Sequence, residues 1–284
     1  VGSEMCIRDR YIESFSGKEQ ITMKKKEMPL ILPFVIALAA AAAVYELQKI
    51  IGTALFPVFD GGKTSDWSNT TYILMDIAMI ILFIPAYILL FRPERGSERI
   101  RLRDTGGMGL LCTATGAVIT SVAIGLAIKL AAIWGAFPVF DNVEIILKDG
   151  NLLLSVLSIV ICAPIMEELV FRGLVFKSFR SVSGFWFSAI LSSAVWAVIH
   201  LNLVQGIRAV GVGLFLAFVY ETYQKLWVPV FAHMSINAVA TASDYSGVLK
   251  GLHIGTFWYI IIIVLMLAAL YPICRGIAKT GTRL

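Results

Sequence analysis

Ionisable and amide side chains stand inside apolar stretches of this chain at three places. They are Glu167, Glu168 and Arg172 in APIMEELVFRG, His200 in AVWAVIHLN, and His233 and Asn237 in PVFAHMSINAV. A charged side chain at the centre of a bilayer costs at least about 2.5 kcal/mol, which makes such residues functional candidates. Carboxylates and imidazoles exchange protons with water, and donors beside them stabilise an oxyanion, so the set is suited to hydrolysis.

The acidic pair and its arginine have helical spacing. Glu168 and Arg172 are four residues apart, so on a helix they can form an ion pair. Glu167 lies about 100° round the helix from Glu168 and can point separately into a cavity, as a general base does. Pro164 lacks the amide that would bond the carbonyl of Val160, which predicts a bend and room for water just before the pair. A purely structural ion pair is the alternative.

The two intramembrane histidines allow two hydrolytic mechanisms. In the first, Glu167 with His200 takes a proton from water, while His233 and Asn237, four apart on one helix face, donate to the oxyanion. In the second, Glu167, His200 and His233 bind Zn²⁺ and leave the fourth position to water. The chain has no HExxH motif. The first mechanism needs no cofactor, and Zn²⁺ is the candidate cofactor of the second.

Apolar stretches make up most of the chain and must carry these residues. Hydrophobic residues amount to 58% and charged residues to 15%, so lipid is the solvent for most of the protein. Backbone groups in lipid are bonded within their own segment, so continuous apolar runs are helices. We predict an all-α, polytopic membrane bundle of about eight transmembrane helices, at approximately 29–52, 70–91, 106–134, 151–176, 184–201, 206–220, 226–242 and 255–274.

The distribution of lysine and arginine predicts the orientation. Lys24 to Lys26 precede the first span and five arginines follow the second, whereas the loops at 53–69, 135–150 and 243–254 carry few basic residues. Both termini are therefore predicted in the cytoplasm. The basic residues behind the net charge of +5 lie in short loops between the apolar spans. They therefore indicate topology and not nucleic-acid binding.

The chain is predicted to form one membrane domain. Residues 1–22 are polar, precede Met23, and are interpreted as a non-native or disordered leader. Residues 23–284 form the membrane domain, with a catalytic core at about 151–242. From residues 1–150 the sequence yields only helix count and orientation, and the role of the first three helices is left open. Asp76, inside the second span, is interpreted as a contact between helices.

Helix counting places the candidate residues at different depths. His200 falls near the outer face, while Glu167 and His233 fall in the inner half of their spans. They can meet only through a tilted or bent helix, a re-entrant segment, or a fifth span that stops at mid-depth.

The order EExxxR, aromatic-xxx-His and HxxxN over roughly 151–242 resembles the CPBP intramembrane protease family, which includes CAAX prenyl endopeptidases and bacteriocin-processing or self-immunity proteins. The resemblance implies that Glu167 is the catalytic carboxylate and that Glu168 and Arg172 support it. It also implies that His200 is the second catalytic group and that His233 and Asn237 form the remaining motif. The second motif usually starts with Phe, and here it starts with Trp196.

The resemblance and the polar residues together predict an intramembrane endopeptidase of the bacterial cytoplasmic membrane. Its partners would be membrane lipid and a membrane-associated peptide or protein substrate, without nucleic acid; the oligomeric state is left open. Peptide maturation and bacteriocin self-immunity are the expected roles. The alternatives are a non-enzymatic immunity protein that binds a peptide or bacteriocin, and a proton-coupled transporter in which the same carboxylates and histidines relay protons.

Overall fold

The computed structural model describes residues 29–59, 68–91, 106–135, 151–246 and 255–282. Within these ranges the chain forms eight helices and no strand, so the predicted all-α class is confirmed. In chain order they are α1 (Leu32–Phe59), α2 (Asn69–Phe91), α3 (Gly107–Ile133), α4 (Leu152–Val182), α5 (Phe185–Ile199), α6 (Leu203–Tyr223), α7 (Trp227–Ser246) and α8 (Thr256–Thr282). The interpretation of 1–22 as a leader and the basic loops that predict orientation lie outside the described residues.

Six of these helices, α1 to α4, α6 and α8, are long and apolar enough to cross a bilayer. Helix α7 has 20 residues but carries the polar side chains of its motif, which lower its hydropathy. Helix α5 is apolar but has only 15 residues, about 22 Å at 1.5 Å per residue, against a hydrocarbon core of about 30 Å. The chain is therefore a polytopic membrane protein with one helix too short to complete a crossing.

The short α5 resolves the depth conflict in the sequence. The helix ends at Ile199, and Leu201 adopts a left-handed conformation with φ 50°. The side chain of Asn202 then accepts from the backbone amide of Gln205 and caps α6. Helices α5 and α6 thus form a hairpin whose tip holds His200. Of the three arrangements considered, the structure has the fifth segment stopping short.

Helix α4 is continuous but contains two π-helical segments, Val156–Cys162 and Leu169–Phe176, on either side of the acidic pair. In the first, the amide of Ala163 bonds to the carbonyl of Ser158, five residues back. With the same five-residue spacing, the next bond would run from the amide of residue 164 to the carbonyl of Ile159. Because Pro164 has no amide hydrogen, that carbonyl has no donor within the helix. The prediction for the carbonyl of Val160 assumed α-helical spacing, whereas the turn that the structure shows just before Pro164 is π-helical.

The second π segment is the centre of the fold. All eight of its residues are buried, and it packs against α1, α2, α5 and α6. In helix α8, by contrast, only 6% of the residues in its apolar stretch are buried, and the helix packs mainly on α3. The acidic pair of α4 directly precedes this buried segment.

Helices α4, α5 and α6 meet most closely at Gly213. A Cβ atom at this position would lie 2.5 Å from Ser193 Oγ and 2.8 Å from Ser193 Cβ, and 3.2 Å from Arg172 Nη2. Such separations are shorter than van der Waals contact. The absence of a side chain on α6 is thus what lets the buried guanidinium lie between the three helices.

We expect Gly213→Ala to destabilise the folded protein by about 1–3 kcal/mol, because the added methyl group overpacks this junction. The measurement is the thermal unfolding midpoint of the purified protein in detergent. Gly184→Ala is the matched control, because a Cβ at Gly184 meets nothing within 4 Å and its φ of −70° suits alanine. Equal midpoints for the two variants would contradict the close packing.

Candidate active site

Helices α1 to α7 surround a cavity of about 500 Å³. Four of the six predicted site residues line it, namely Glu167, His200, His233 and Asn237. The other two, Glu168 and Arg172, lie behind the cavity wall and are 0% and 1% exposed. The structure thus brings the three sequence motifs to one place. The four residues that line the cavity form an exposed layer, and Glu168 and Arg172 form a buried layer behind it.

Glu168 is the centre of the buried layer. Its Oε1 accepts hydrogen bonds from Arg172 Nη1 at 2.8 Å and from His233 Nδ1 at 3.0 Å. The side chain of His233 is 5% exposed, so all three groups are desolvated. Removing one partner of such a buried pair typically costs about 3–5 kcal/mol, because the remaining charge is left uncompensated. Glu168 is therefore a buried structural carboxylate that positions His233 and Arg172, and a substrate cannot reach it.

Glu167 faces the cavity instead. Its side chain is 20% exposed, and its Oε2 lies 3.5 Å from His233 Nε2. The rotation of about 100° per residue separates the two neighbouring carboxylates, as the helical spacing indicates. Glu167 is consequently the carboxylate of the pair that can meet water and a peptide.

His233 connects the two layers. A carboxylate offers only acceptors, so Nδ1 must carry a proton to bond Glu168, and the Nε2 contact with Glu167 is favourable when one proton lies between them. This is the usual way in which a buried carboxylate fixes the orientation of an imidazole. His233 is therefore hydrogen-bonded to Glu168 through Nδ1 and faces Glu167 through Nε2, whereas the sequence predicted that this ring donates to the oxyanion.

Asn237 makes a backbone contact that the sequence did not predict. Its Nδ2 donates to the carbonyl of Ile159 at 2.8 Å, which is the carbonyl that Pro164 leaves without a donor. An unbonded buried carbonyl costs about 1–3 kcal/mol, so this side chain stabilises the irregular turn of α4. One of its two amide hydrogens is committed to the backbone, and only the other is left for the cavity that Asn237 lines.

Trp196 holds the remaining groups together. The guanidinium carbon of Arg172 lies 4.6 Å from its ring centroid, a cation–π contact with a desolvated cation. The rings of His200 and His233 meet it edge-on, with centroids at 5.5 and 5.2 Å. The indole thus contacts both histidines and packs on the arginine. It stands at the position where phenylalanine is usual in the motif.

His200 presents one free nitrogen. Its Nδ1 lies 2.9 Å from the carbonyl oxygen of Trp196, and since a carbonyl only accepts, Nδ1 carries the proton. In the neutral ring the lone pair is then on Nε2. Because His200 lines the cavity at the tip of the hairpin, this nitrogen is the available one.

The zinc alternative was tested against the arrangement of donors. Glu167, His200 and His233 line the same cavity, yet in the described ranges no three His, Cys, Asp or Glu side chains are placed as a metal ligand set. As arranged here, the residues do not fit a preformed zinc site, and no step is derived through a metal.

The first three helices, whose role the sequence leaves open, contribute to the cavity. Gln48, Asn69, Tyr72, Asp76 and Ser121 line it from α1, α2 and α3, as does Arg208 from α6. Helix α2 is fixed to α4 by a hydrogen bond from Asn69 Nδ2 to Ser155 Oγ at 3.0 Å. Asp76 and Arg208 are charged residues inside apolar spans, and this could have marked them in the sequence as candidates for the cavity. Only the packing of the helices shows that both line it.

Comparison with known proteins supports this part of the chain as the functional core. Residues 149–239 match the family described as type II CAAX prenyl endopeptidase Rce1-like. The chain is also 26% identical over 221 residues to a Bacillus subtilis (strain 168) protein named "Putative membrane peptidase YdiL", covering 76% of this chain and 87% of that protein. No solved structure matches the chain.

The family match includes the segment that carries EExxxR, Trp-xxx-His and HxxxN, and the three motifs meet at one cavity in a helical membrane bundle. They support the resemblance drawn from the motifs: over residues 149–239 the chain is similar to the type II CAAX prenyl endopeptidase Rce1-like family.

Proposed function

We propose that this protein is an intramembrane endopeptidase that hydrolyses a peptide bond in the cavity, with Glu167 as the general base. The observation that carries the proposal is the division of labour within the acidic pair. Glu168 is fully buried and held by Arg172 and His233, whereas Glu167 faces a cavity large enough for a peptide segment. A general base must be accessible to water, as Glu167 is, whereas the carboxylate that positions the other side chains can be buried, as Glu168 is.

The chemistry follows from these positions. Glu167 takes a proton from a water molecule in the cavity, and the resulting hydroxide attacks the scissile carbonyl carbon. His200 assists through its Nε2, and the second amide hydrogen of Asn237 is the donor available to the oxyanion. Arg172 and Glu168 keep His233 in place, and His233 keeps Glu167 in place. When the C–N bond breaks, the leaving nitrogen must gain a proton.

The substrate class is a membrane-associated peptide or protein. A cavity enclosed by transmembrane helices is reached from the bilayer or its interface, where such peptides lie. Short loops and a relative in Bacillus subtilis favour a bacterial cytoplasmic membrane, with peptide maturation or bacteriocin self-immunity as the context. A non-enzymatic peptide-binding protein is the rival that the first experiment separates.

Glu167→Gln should lower kcat by about 10²- to 10⁴-fold, the usual contribution of a general base, because the amide cannot take the water proton. Purified protein in lipid vesicles is incubated with a library of membrane-associated peptides, and cleavage products are identified by mass spectrometry. Glu221→Gln is the control, because Glu221 pairs with Arg180 away from the cavity. Full activity in Glu167→Gln would exclude this mechanism, and binding without cleavage by the unaltered protein would favour the peptide-binding rival.

A chelator should leave peptide cleavage unchanged, because the three candidate ligands are not arranged as a metal site. The same vesicle assay is run after dialysis against a strong zinc chelator, with and without added Zn²⁺. If activity disappears and Zn²⁺ restores it, the enzyme is a metalloprotease, and Glu167, His200 and His233 become the ligands to test individually.

A further inference from the structure

A second cavity, of about 190 Å³, lies where the ends of α2, α4 and α6 meet, and it shares no lining residue with the candidate active site. Phe91 is the last residue of α2, Lys177 and Arg180 belong to the final turns of α4, and Gln224 directly follows α6. Five arginines follow α2 in the sequence, which predicts that these helix ends are cytoplasmic. The second cavity therefore lies at the predicted cytoplasmic boundary of the bilayer.

The charged side chains of the second cavity leave one positive charge uncompensated. Arg180 donates to Glu221 Oε1 from Nε at 3.1 Å and from Nη2 at 2.9 Å, so these two charges offset each other. The Nη1 of Arg180 donates to the carbonyl oxygen of Ser183 at 3.0 Å. The ammonium of Lys177, by contrast, has no hydrogen-bond acceptor among the residues that the structure describes. The cavity thus has a net charge of about +1.

Two aromatic rings fix the position of this ammonium. Lys177 Nζ lies 5.1 Å from the ring centroid of Tyr87 and 4.6 Å from that of Phe91, and the side chain is half-buried. Cation–π contacts hold a cation in place but provide no acceptor for its three N–H groups. A lysine that only reaches for water would extend away from such rings. Lys177 is therefore a positioned cation that an anionic ligand can approach from the cavity.

The remaining wall of the second cavity favours a ligand with an apolar part. Phe176 and Tyr220 line it and are 1% and 3% exposed, and the ring of Phe91 completes the aromatic surface. An anionic phospholipid combines a phosphate that carries one negative charge with a glycerol and acyl chains that suit such a wall. Basic pockets between transmembrane helices at the cytoplasmic side attract headgroups of this kind. Free phosphate presents the same oxygens without the apolar part.

We propose that the second cavity binds the headgroup of an anionic phospholipid, whose phosphate oxygens accept hydrogen bonds from the ammonium of Lys177. The lipid lies against the ends of α2, α4 and α6 and connects them. Because it binds only the folded protein, it also stabilises the bundle that carries the active site. No peptide takes part in this binding, so its test does not depend on the proposed hydrolysis.

Native mass spectrometry of the purified protein in a nonionic detergent measures the affinity for the first bound lipid. Phosphatidylglycerol, phosphatidylcholine and inorganic phosphate are added separately at equal concentrations. The unaltered protein should bind phosphatidylglycerol about fivefold more tightly than phosphatidylcholine, whose headgroup brings a cation of its own close to Lys177. Inorganic phosphate should not displace the lipid. Equal affinity for the two lipids, or displacement by inorganic phosphate, would overturn the assignment.

Lys177→Gln should weaken the binding of phosphatidylglycerol by about 10- to 100-fold, because a charge-assisted hydrogen bond is lost, whereas Lys177→Arg should keep most of it. Arg275→Gln is the matched control. Arg275 lies 5.4 Å from the ring of Tyr271 and outside the second cavity, near the same helix ends, where Tyr223 of α6 contacts Thr280 of α8 at 2.8 Å. An equal loss in the two glutamine variants would indicate a general effect of net charge and contradict a specific site.

A second variant covers the case in which Lys177→Gln does not fold. Gln224→Glu adds a negative charge at an exposed position of the cavity wall and leaves Lys177 with both of its aromatic contacts. It should also weaken the binding of phosphatidylglycerol, and thermal unfolding in detergent checks that the variant is folded. Unchanged affinity in folded Gln224→Glu and Lys177→Gln, or in folded Gln224→Glu alone if the other variant is lost, would refute the lipid site.

Discussion

The buried carboxylate of Glu168 is the constraint on which the arrangement of this protein depends. A charge in the interior of a membrane protein is stable only when its partners are close, and Glu168 has two, Arg172 and His233. Arg172 in turn packs on Trp196. One ion pair therefore fixes three helices, and the cavity is formed on the side that this pair does not occupy.

Irregular backbone supplies the room that regular helices would not. The π-helical turn before Pro164 leaves one carbonyl of α4 without a donor, and Asn237 of α7 supplies it. Helix α5 stops after 15 residues, so His200 reaches the cavity instead of the outer face. Each departure lines a polar cavity, which is where membrane proteins tolerate irregular backbone.

Much of the fold was predictable because lipid imposes strong rules. Apolar runs of about 20 residues must be helical, and all eight predicted segments are helices in the part of the chain that the structure describes. The separation of Glu167 from Glu168 followed from helix geometry alone. The contacts of His233 with the two carboxylates and of Asn237 with the carbonyl of Ile159 did not follow, because spacing gives a shared face but not the partner that the face meets. The use of Glu167 and His200 in catalysis stays a prediction.

The sequence by itself determined the helices, the order of the three motifs and the resemblance that the comparisons support, because hydropathy and helical periodicity are local properties. Only the tertiary structure decided that α1 to α3 contribute to the cavity, that Asn237 bonds the carbonyl of Ile159, and that Asp76 lines the same cavity as Glu167. These are contacts between residues distant in sequence. Their geometry depends on how helices pack and where their turns deviate, and no local pattern of residues specifies that.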